Sequence, residues 1–215
     1  YKGTHTNEIN DMFGGKYFID SSRFDVSQSN NQNADDEWKN QKLGVGDVVY
    51  RDYDGYVMQE GLFGQAEYNK NALSTFVSAS VSNTAYWRYD RFYYDEAHAK
   101  SETVDFWGFT LKGGANYNLS DNHNVFVNIG TISRAPKFAN GAFMQSTTSN
   151  VINVDAENEK IFSIEAGYGF KEKWATVNVN AYYTRWIDKA MTKTGTLDNQ
   201  VEFFLNMTGV NALHK

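Results

Sequence analysis

Apolar and polar residues alternate with a period of two through much of the chain, most clearly in residues 160–186. There Phe162, Ile164, Ala166, Tyr168 and Phe170 share one face of an extended strand, and Ser163, Glu165, Gly167 and Gly169 share the other. Past the polar turn Lys171-Glu172-Lys173, Ala175, Val177, Val179, Ala181 and Tyr183 face one way; Thr176, Asn178, Asn180, Tyr182 and Thr184 face the other. The pattern predicts a hairpin whose strands are each about ten residues or longer. Strands of soluble sandwiches run about five or six residues, whereas a strand tilted across a bilayer needs roughly nine to eleven. Length and a small, polar second face together predict an all-β, antiparallel transmembrane β-barrel.

The same signal recurs upstream. Leu62, Gly64, Ala66 and Tyr68 alternate with Phe63, Gln65 and Glu67. After a turn at Asn69-Lys70-Asn71, Leu73, Thr75, Val77, Ala79 and Val81 oppose Ser74, Phe76, Ser78, Ser80 and Ser82, and that strand runs on into Tyr86-Trp87-Arg88-Tyr89. A third pair sets Trp107, Phe109, Leu111, Gly113, Ala115, Tyr117 and Leu119 against Gly108, Thr110, Lys112, Gly114, Asn116 and Asn118. It turns at Ser120-Asp121-Asn122-His123 and returns through Val125, Val127, Ile129 and Thr131, with Phe126, Asn128, Gly130, Ile132 and Arg134 opposite. Short turns near 69–72, 119–123 and 171–173 alternate strictly with long connections near 9–58, 90–103, 135–159 and 188–202, which assigns the short ones to the periplasmic side and the long ones to the outside. Aromatic residues at strand ends (Tyr68, Trp107, Tyr117, Phe170, Trp174, Tyr183, Trp186) suit the two interfacial girdles of a barrel. Residues 1–8 read as the end of a strand and 203–214 as the start of another. We therefore expect residues 1–215 to be part of one barrel domain, with a long extracellular loop at 9–58 and consecutive hairpins over 60–215.

Composition narrows the classes without changing this picture. The chain has no cysteine, which removes disulfide frameworks and thiolate metal sites, and no run of about eighteen apolar residues, which removes a transmembrane helix. A formal charge of −6, with Lys and Arg scattered singly, argues against a nucleic-acid surface. Two competing readings remain: a structural or adhesive outer-membrane barrel, and a soluble carbohydrate-binding β-sandwich, which would need polar residues on its outer faces.

Three ordered segments carry a resemblance. Ile132-Ser133-Arg134-Ala135-Pro136 looks like a strand end that leads into a long loop. Residues 152–160, Ile-Asn-Val-Asp-Ala-Glu-Asn-Glu-Lys, are followed by Ser163-Ile164-Glu165-Ala166-Gly167-Tyr168. Ala181-Tyr182-Tyr183-Thr184-Arg185-Trp186-Ile187-Asp188-Lys189 then precedes Asn206-Met207-Thr208-Gly209-Val210. In this order the segments resemble the C-terminal barrel of TonB-dependent outer-membrane transporters, in the style of the Bacteroidetes, although Val154 and Ala156 stand where Pro and Leu are commoner. The resemblance implies a barrel of about 22 strands, of which this chain supplies seven or eight, and a signal peptide, energy-coupling box and plug domain outside this sequence. It implies energised import of a nutrient such as a siderophore or haem, cobalamin, a glycan or a peptide. The implied partners are the TonB–ExbB–ExbD system, outer-membrane lipid and lipopolysaccharide, and a surface lipoprotein. No enzymatic activity, cofactor or catalytic residue is expected.

The aromatic clusters 50–56 and 86–94 supply the candidate capture surface: Tyr50, Tyr53, Tyr56, Trp87, Arg88, Tyr89 and Arg91, with Arg134 at the rim. Flat rings bind sugars, macrocycles and chelates at little entropic cost; the competing reading is that they stiffen strand extensions and pack loop against loop. Alternation directs Lys112, Glu165, Asn178 and Asn180 to the lumen, where the two charges need partners, either on a plug or in each other. Asp52-Tyr53-Asp54-Gly55 opens like a calcium loop, but Phe63 occupies the twelfth position where Glu is required. Asp35-Asp36-Glu37 reads as a solvated acidic patch. His5, His98, His123 and His214 lack ligand spacing, so no metal site is expected.

Overall fold

A computed structural model of the chain describes residues 1–8, 19–20, 42–43, 45–94, 96–139, 141–143, 149–191, 205–207 and 211–212. Its strands are β1 (Lys2–Glu8), β2 (Ile19–Asp20), β3 (Lys42–Leu43), β4 (Val48–Lys70), β5 (Leu73–Asp90), β6 (Val104–Ser120), β7 (His123–Arg134), β8 (Glu159–Lys171), β9 (Thr176–Ile187), β10 (Lys189–Met191), β11 (Leu205–Met207) and β12 (Asn211–Ala212). Eight of them form one sheet in the order β1-β4-β5-β6-β7-β8-β9-β12, while β2 pairs with β3 and β10 with β11. From β4 to β9 every strand lies beside its sequence neighbour, the order that short antiparallel turns impose. The fold is thus all-β and antiparallel, with the strand number expected, and the sheet is not closed by these strands.

Two boundaries differ from the sequence reading. Strand β4 starts at Val48, ten residues inside the stretch expected to be loop, because β1 pairs with its first half: Lys2 lies opposite Tyr56, Thr4 opposite Asp54 and Thr6 opposite Asp52. Most of residues 9–47 and 192–204, including the acidic patch at 35–37, lie outside the described residues. The expected last strand at 203–214 is described only at β11 and β12.

The chain divides into two compact units. The first contains residues 1–58, 85–105 and 137–156; the second contains 59–84, 106–136 and 157–215, so β4 and β5 contribute to both.

In the second unit, the pairings sort side chains into rows. One face carries Leu111-Thr131-Phe162-Arg185, Gly113-Ile129-Ile164-Tyr183, Ala115-Val127-Ala166-Ala181 and Tyr117-Val125-Tyr168-Val179. These apolar side chains stay open to the surroundings: Leu111 and Ile129 are each 49% exposed and Val179 is 60% exposed. A contiguous apolar surface of this kind is unfavourable in water and suits lipid. The other face carries Lys112-Gly130-Ser163-Thr184, Gly114-Asn128-Glu165-Tyr182, Asn116-Phe126-Gly167-Asn180 and Asn118-Asn124-Gly169-Asn178. Its glycines make room for rings. A Cβ on Gly167 would sit 2.3 Å from Phe126 Cε1, and one on Gly114 would sit 2.6 Å from Phe76 Cε1. Trp186 pairs with Ile161 and shares the polar face with Asn178 and Asn180, so it does not join Tyr183 in an outward girdle, as its position at a strand end had suggested. At the other end of these strands His123 Nδ1 lies 2.6 Å from the Tyr168 hydroxyl, and Phe170 packs against His123 and Trp174. The β4–β5 turn holds Asn71 at φ 53°, the left-handed conformation that Asn tolerates better than most residues.

In the first unit, residues 137–156 form no open loop. Phe138 packs against Phe143 with the rings tilted and their centres 4.9 Å apart, and meets Tyr86 edge-on at 5.7 Å. Asn150 donates its backbone N–H to the Tyr94 hydroxyl and its amide to the His98 and Ala99 carbonyls. Phe143, Tyr93, Phe92 and Ala142 are almost wholly buried.

Candidate functional site

Alternation splits the first half of β4 into two environments. Asp52, Asp54 and Tyr56 line one face. There Arg91 donates to both carboxylates: Nη2 to Asp52 Oδ1 at 2.6 Å, Nε to Asp52 Oδ2 at 3.1 Å and Nη1 to Asp54 Oδ2 at 2.7 Å. Lys2 Nζ (2.9 Å) and the Thr4 hydroxyl (2.7 Å) complete the shell of Asp54, and Thr6 donates to Asp52 at 3.1 Å. Burial acts to raise the Asp54 carboxyl, but the hydrogen bonds from Arg91, Lys2 and Thr4 outweigh it and hold the group well below the usual carboxylate range. The two acidic groups of the calcium-like stretch are therefore engaged by cations. Beside this network Tyr56 and Trp87 stack with ring centres 5.2 Å apart and planes within 5°, and both are partly exposed. Lys2 Nζ lies 5.8 Å from the centre of the Tyr56 ring.

The opposite face is buried. Tyr53, 4% exposed, is stacked on His5 at 4.9 Å, and the Arg88 guanidinium lies 4.2 Å from its ring centre. Arg88 is fully buried, pairs with Asp90 through Nη2 at 3.0 Å, and donates its backbone N–H to Ser101 Oγ at 2.8 Å. Asp90 Oδ1 accepts from the backbone N–H groups of Phe92 (2.8 Å) and Tyr93 (2.7 Å). Burial pushes the Asp90 carboxyl upward against the pull of Arg88 and these two N–H groups. Tyr53 and Arg88 thus sit in the core of this unit. The structure brings Tyr56, Trp87 and Arg91 onto one accessible side, leaves Tyr89 partly exposed, and places the Tyr50 backbone in β4, with its side chain outside the described residues.

The remaining predicted residues lie in the second unit. Arg134 is directly opposite Glu159 and donates from Nε at 2.6 Å. Next to this pair Asn158 Nδ2 donates to the Trp107 carbonyl (2.6 Å) and to Ser133 Oγ (3.0 Å), and Lys160 Nζ meets Asp188 at 3.0 Å. Glu165 accepts from its cross-strand neighbour Asn128 at 3.5 Å, and no ion pair joins it to Lys112. Asn178 and Asn180 are exposed on the polar face. Sequence reasoning missed Lys2, Thr4 and Asn158; the signal for the first two was the alternation Lys2, Thr4, Thr6 facing Asp52, Asp54 and Tyr56.

The profile of the family described as TonB dependent receptor-like, beta-barrel matches residues 2–210. The chain belongs to this family. No curated protein matches it. TonB-dependent receptors are transporters and receptors of the outer membrane, not an enzyme family, and they work with the TonB system on a bound ligand. Membership agrees with the geometry: the exposed apolar rows suit the lipid face of a barrel wall, and the soluble-sandwich reading loses its ground because, among the described residues, those rows are not buried against a second sheet.

Proposed function

We propose that this chain supplies wall and extracellular capture surface to a receptor that imports a nutrient across the outer membrane, driven by the TonB–ExbB–ExbD system acting on a plug domain. The capture surface consists of Tyr56 and Trp87, flanked by Tyr89 and Arg91, with Tyr53 and Arg88 as the buried support that fixes β4 and β5 beneath them. The observation that carries this reading is the parallel, partly exposed Tyr56–Trp87 stack, with Lys2 beside the Tyr56 ring. Such a platform suits a ligand with a flat or weakly polar face: a sugar ring, a porphyrin or corrin, or a metal chelate. Arg134, Lys112, Glu165, Asn178 and Asn180 belong to the polar face along which a plug or a passing ligand lies.

The test is uptake by cells carrying the full-length receptor with Trp87→Ala or Tyr56→Ala, scored across iron chelates, haem, cobalamin, glycans and peptides, with and without TonB. One substrate class should depend on TonB, and Trp87→Ala should weaken its binding about tenfold, equivalent to about 1.4 kcal/mol. Unchanged affinity of Trp87→Ala for the TonB-dependent substrate would remove the platform from the site.

A further inference from the structure

On the polar face of the second unit an open cleft of about 530 Å³ is lined by two phenyl rings, Phe76 and Phe126, and by Asn116, Asn128, Gln65 and Glu67 among others. Each ring lies over a glycine of the neighbouring strand. A Cβ on Gly114 would be 2.6 Å from Phe76 Cε1, and one on Gly167 would be 2.3 Å and 2.5 Å from Phe126 Cε1 and Cζ. With no side chain in the way, the rings lean across the sheet and stay open on the side away from it: Phe76 is 37% exposed and Phe126 is half-buried.

The amides around the rings are held in place without being used up. Asn116 Oδ1 accepts from Asn124 at 2.9 Å, and Asn116 Nδ2 donates to Asn118 at 3.2 Å. Gln65 donates to Glu67 at 2.7 Å, and Asn128 to Glu165 at 3.5 Å. A primary amide offers a pair of N–H groups and a pair of carbonyl lone pairs, so each of these keeps a donor and an acceptor for a ligand.

Charge narrows what this cleft can hold. Among the described lining residues none is Lys or Arg, and Glu67 carries the one charge. The adjoining rows of this face, Asn116-Phe126-Gly167-Asn180 and Asn118-Asn124-Gly169-Asn178, hold no charged residue either. An anionic metal chelate would meet a carboxylate and no cation, and a haem iron would find no His, Cys, Met or Tyr in this lining to ligate it. A neutral sugar fits both features: its C–H face stacks on a flat ring, and neighbouring hydroxyls pair with an amide donor and acceptor.

We infer that this cleft is a transit subsite for a neutral oligosaccharide, with sugar rings on Phe76 and Phe126 and hydroxyls on Asn116 and Asn128. The subsite presupposes the TonB-driven importer proposed above and narrows the cargo that the Tyr56–Trp87 platform admits to one class.

The test is uptake by cells carrying the full-length receptor, with and without TonB, of neutral oligosaccharides of glucose, xylose or mannose, of acidic oligogalacturonates, and of ferric chelates, haem, cobalamin and neutral peptides. A neutral oligosaccharide should be the TonB-dependent cargo. Phe126→Leu keeps an apolar cover on Gly167 but removes the flat ring; it should slow that uptake at least about fivefold, while Phe126→Tyr, which keeps the ring, should stay within about twofold of the wild type. Both variants should reach the outer membrane in wild-type amount and still exclude a bulky antibiotic, the sign of a seated plug. If no substrate depends on TonB, the importer itself is refuted and the subsite with it. If the TonB-dependent cargo is charged, a haem, a cobalamin or a peptide, or if Phe126→Leu leaves uptake unchanged, the importer stands and the subsite is overturned. Equal slowing by Phe126→Leu and Phe126→Tyr, or antibiotic entry in Phe126→Leu, would make the ring a packing contact of the plug and likewise overturn it.

Discussion

Gly167 is a position where the wall leaves little room for change. It lies on the polar face between Phe126 and Asn180, its cross-strand neighbours. A methyl group there would stand 2.3 Å from Phe126 Cε1, 2.5 Å from Phe126 Cζ and 2.6 Å from Asn180 Oδ1. All three lie far inside van der Waals contact, so in Gly167→Ala the Phe126 ring must leave the backbone it covers. Overpacking of this kind costs about 1–3 kcal/mol, and covering a strand glycine with a cross-strand ring is itself stabilising. We expect Gly167→Ala to destabilise the barrel by about 2 kcal/mol, read as a lower urea midpoint with an unchanged slope in refolding assays on the full receptor in detergent. The decisive measurement is the double variant: with Phe126→Ala in place the methyl clashes only with an amide that can turn, so adding Gly167→Ala should cost under about 0.5 kcal/mol. If the two substitutions simply add, the ring-over-glycine account is wrong.

Other expectations follow from the first unit and from the strand ends of the second. Arg91→Gln removes one fork from each of Asp52 and Asp54; because Arg91 is partly exposed and Lys2 and Thr4 remain on Asp54, we expect a loss of about 1–2 kcal/mol, seen as faster amide exchange in β1 and the first half of β4 and nowhere in β7–β9. Asp54, whose carboxyl is held below the usual range, contributes stability that is complete above the ordinary carboxylate pKa of about 4 and is lost only as pH falls through the depressed folded value. Exchange protection of β1 should therefore persist from pH 7 to about pH 4.5, and early loss at pH 5–6 would contradict the network. Asn71→Val should cost about 1–2 kcal/mol through its positive φ and Asn71→Gly should not, measured by the same urea titration. Arg134→Ala should cost under about 1 kcal/mol, as expected of an exposed partner of Glu159; a far larger loss of uptake than of stability would assign Arg134 to ligand or plug.

Where lipid enforces the pattern, the sequence reads directly. Phe162, Ile164, Ala166 and Tyr168 alternate with Ser163, Glu165 and Gly167 because only one side of a barrel wall meets hydrocarbon, and β8 and β9 fall where that alternation places them. Away from the membrane segments that constraint lapses. Residues 48–56 fold as strand although they read as loop, since their buried face is Tyr53 and Gly55 and their other face is a salt-bridged set of Asp, Arg, Lys and Thr that has no apolar period to detect. For the same reason Tyr53 and Arg88 resembled exposed capture residues: nothing local shows that Phe138 and Phe143, more than forty residues later, fold into that unit. Trp186 was misread for a simpler cause, since its place at a strand end suggested a girdle while its parity set it among Asn178 and Asn180.

Arg134 and Glu159 are the last register pair between β7 and β8, and their side chains close on each other at that point. Everything from residue 135 to residue 158 leaves and re-enters the wall through this clasp, with Asn158 tying the return to Ser133 and to the Trp107 carbonyl. The wall therefore constrains the two ends of that insert, while Phe138, Phe143 and Asn150 within it answer to the packing of the first unit. Lengthening such a connection is cheap, about 0.6 kcal/mol for each doubling. A connection clasped at both ends can take added length without moving the strands that carry it, which makes the clasp a natural joint for inserting a foreign segment into this receptor.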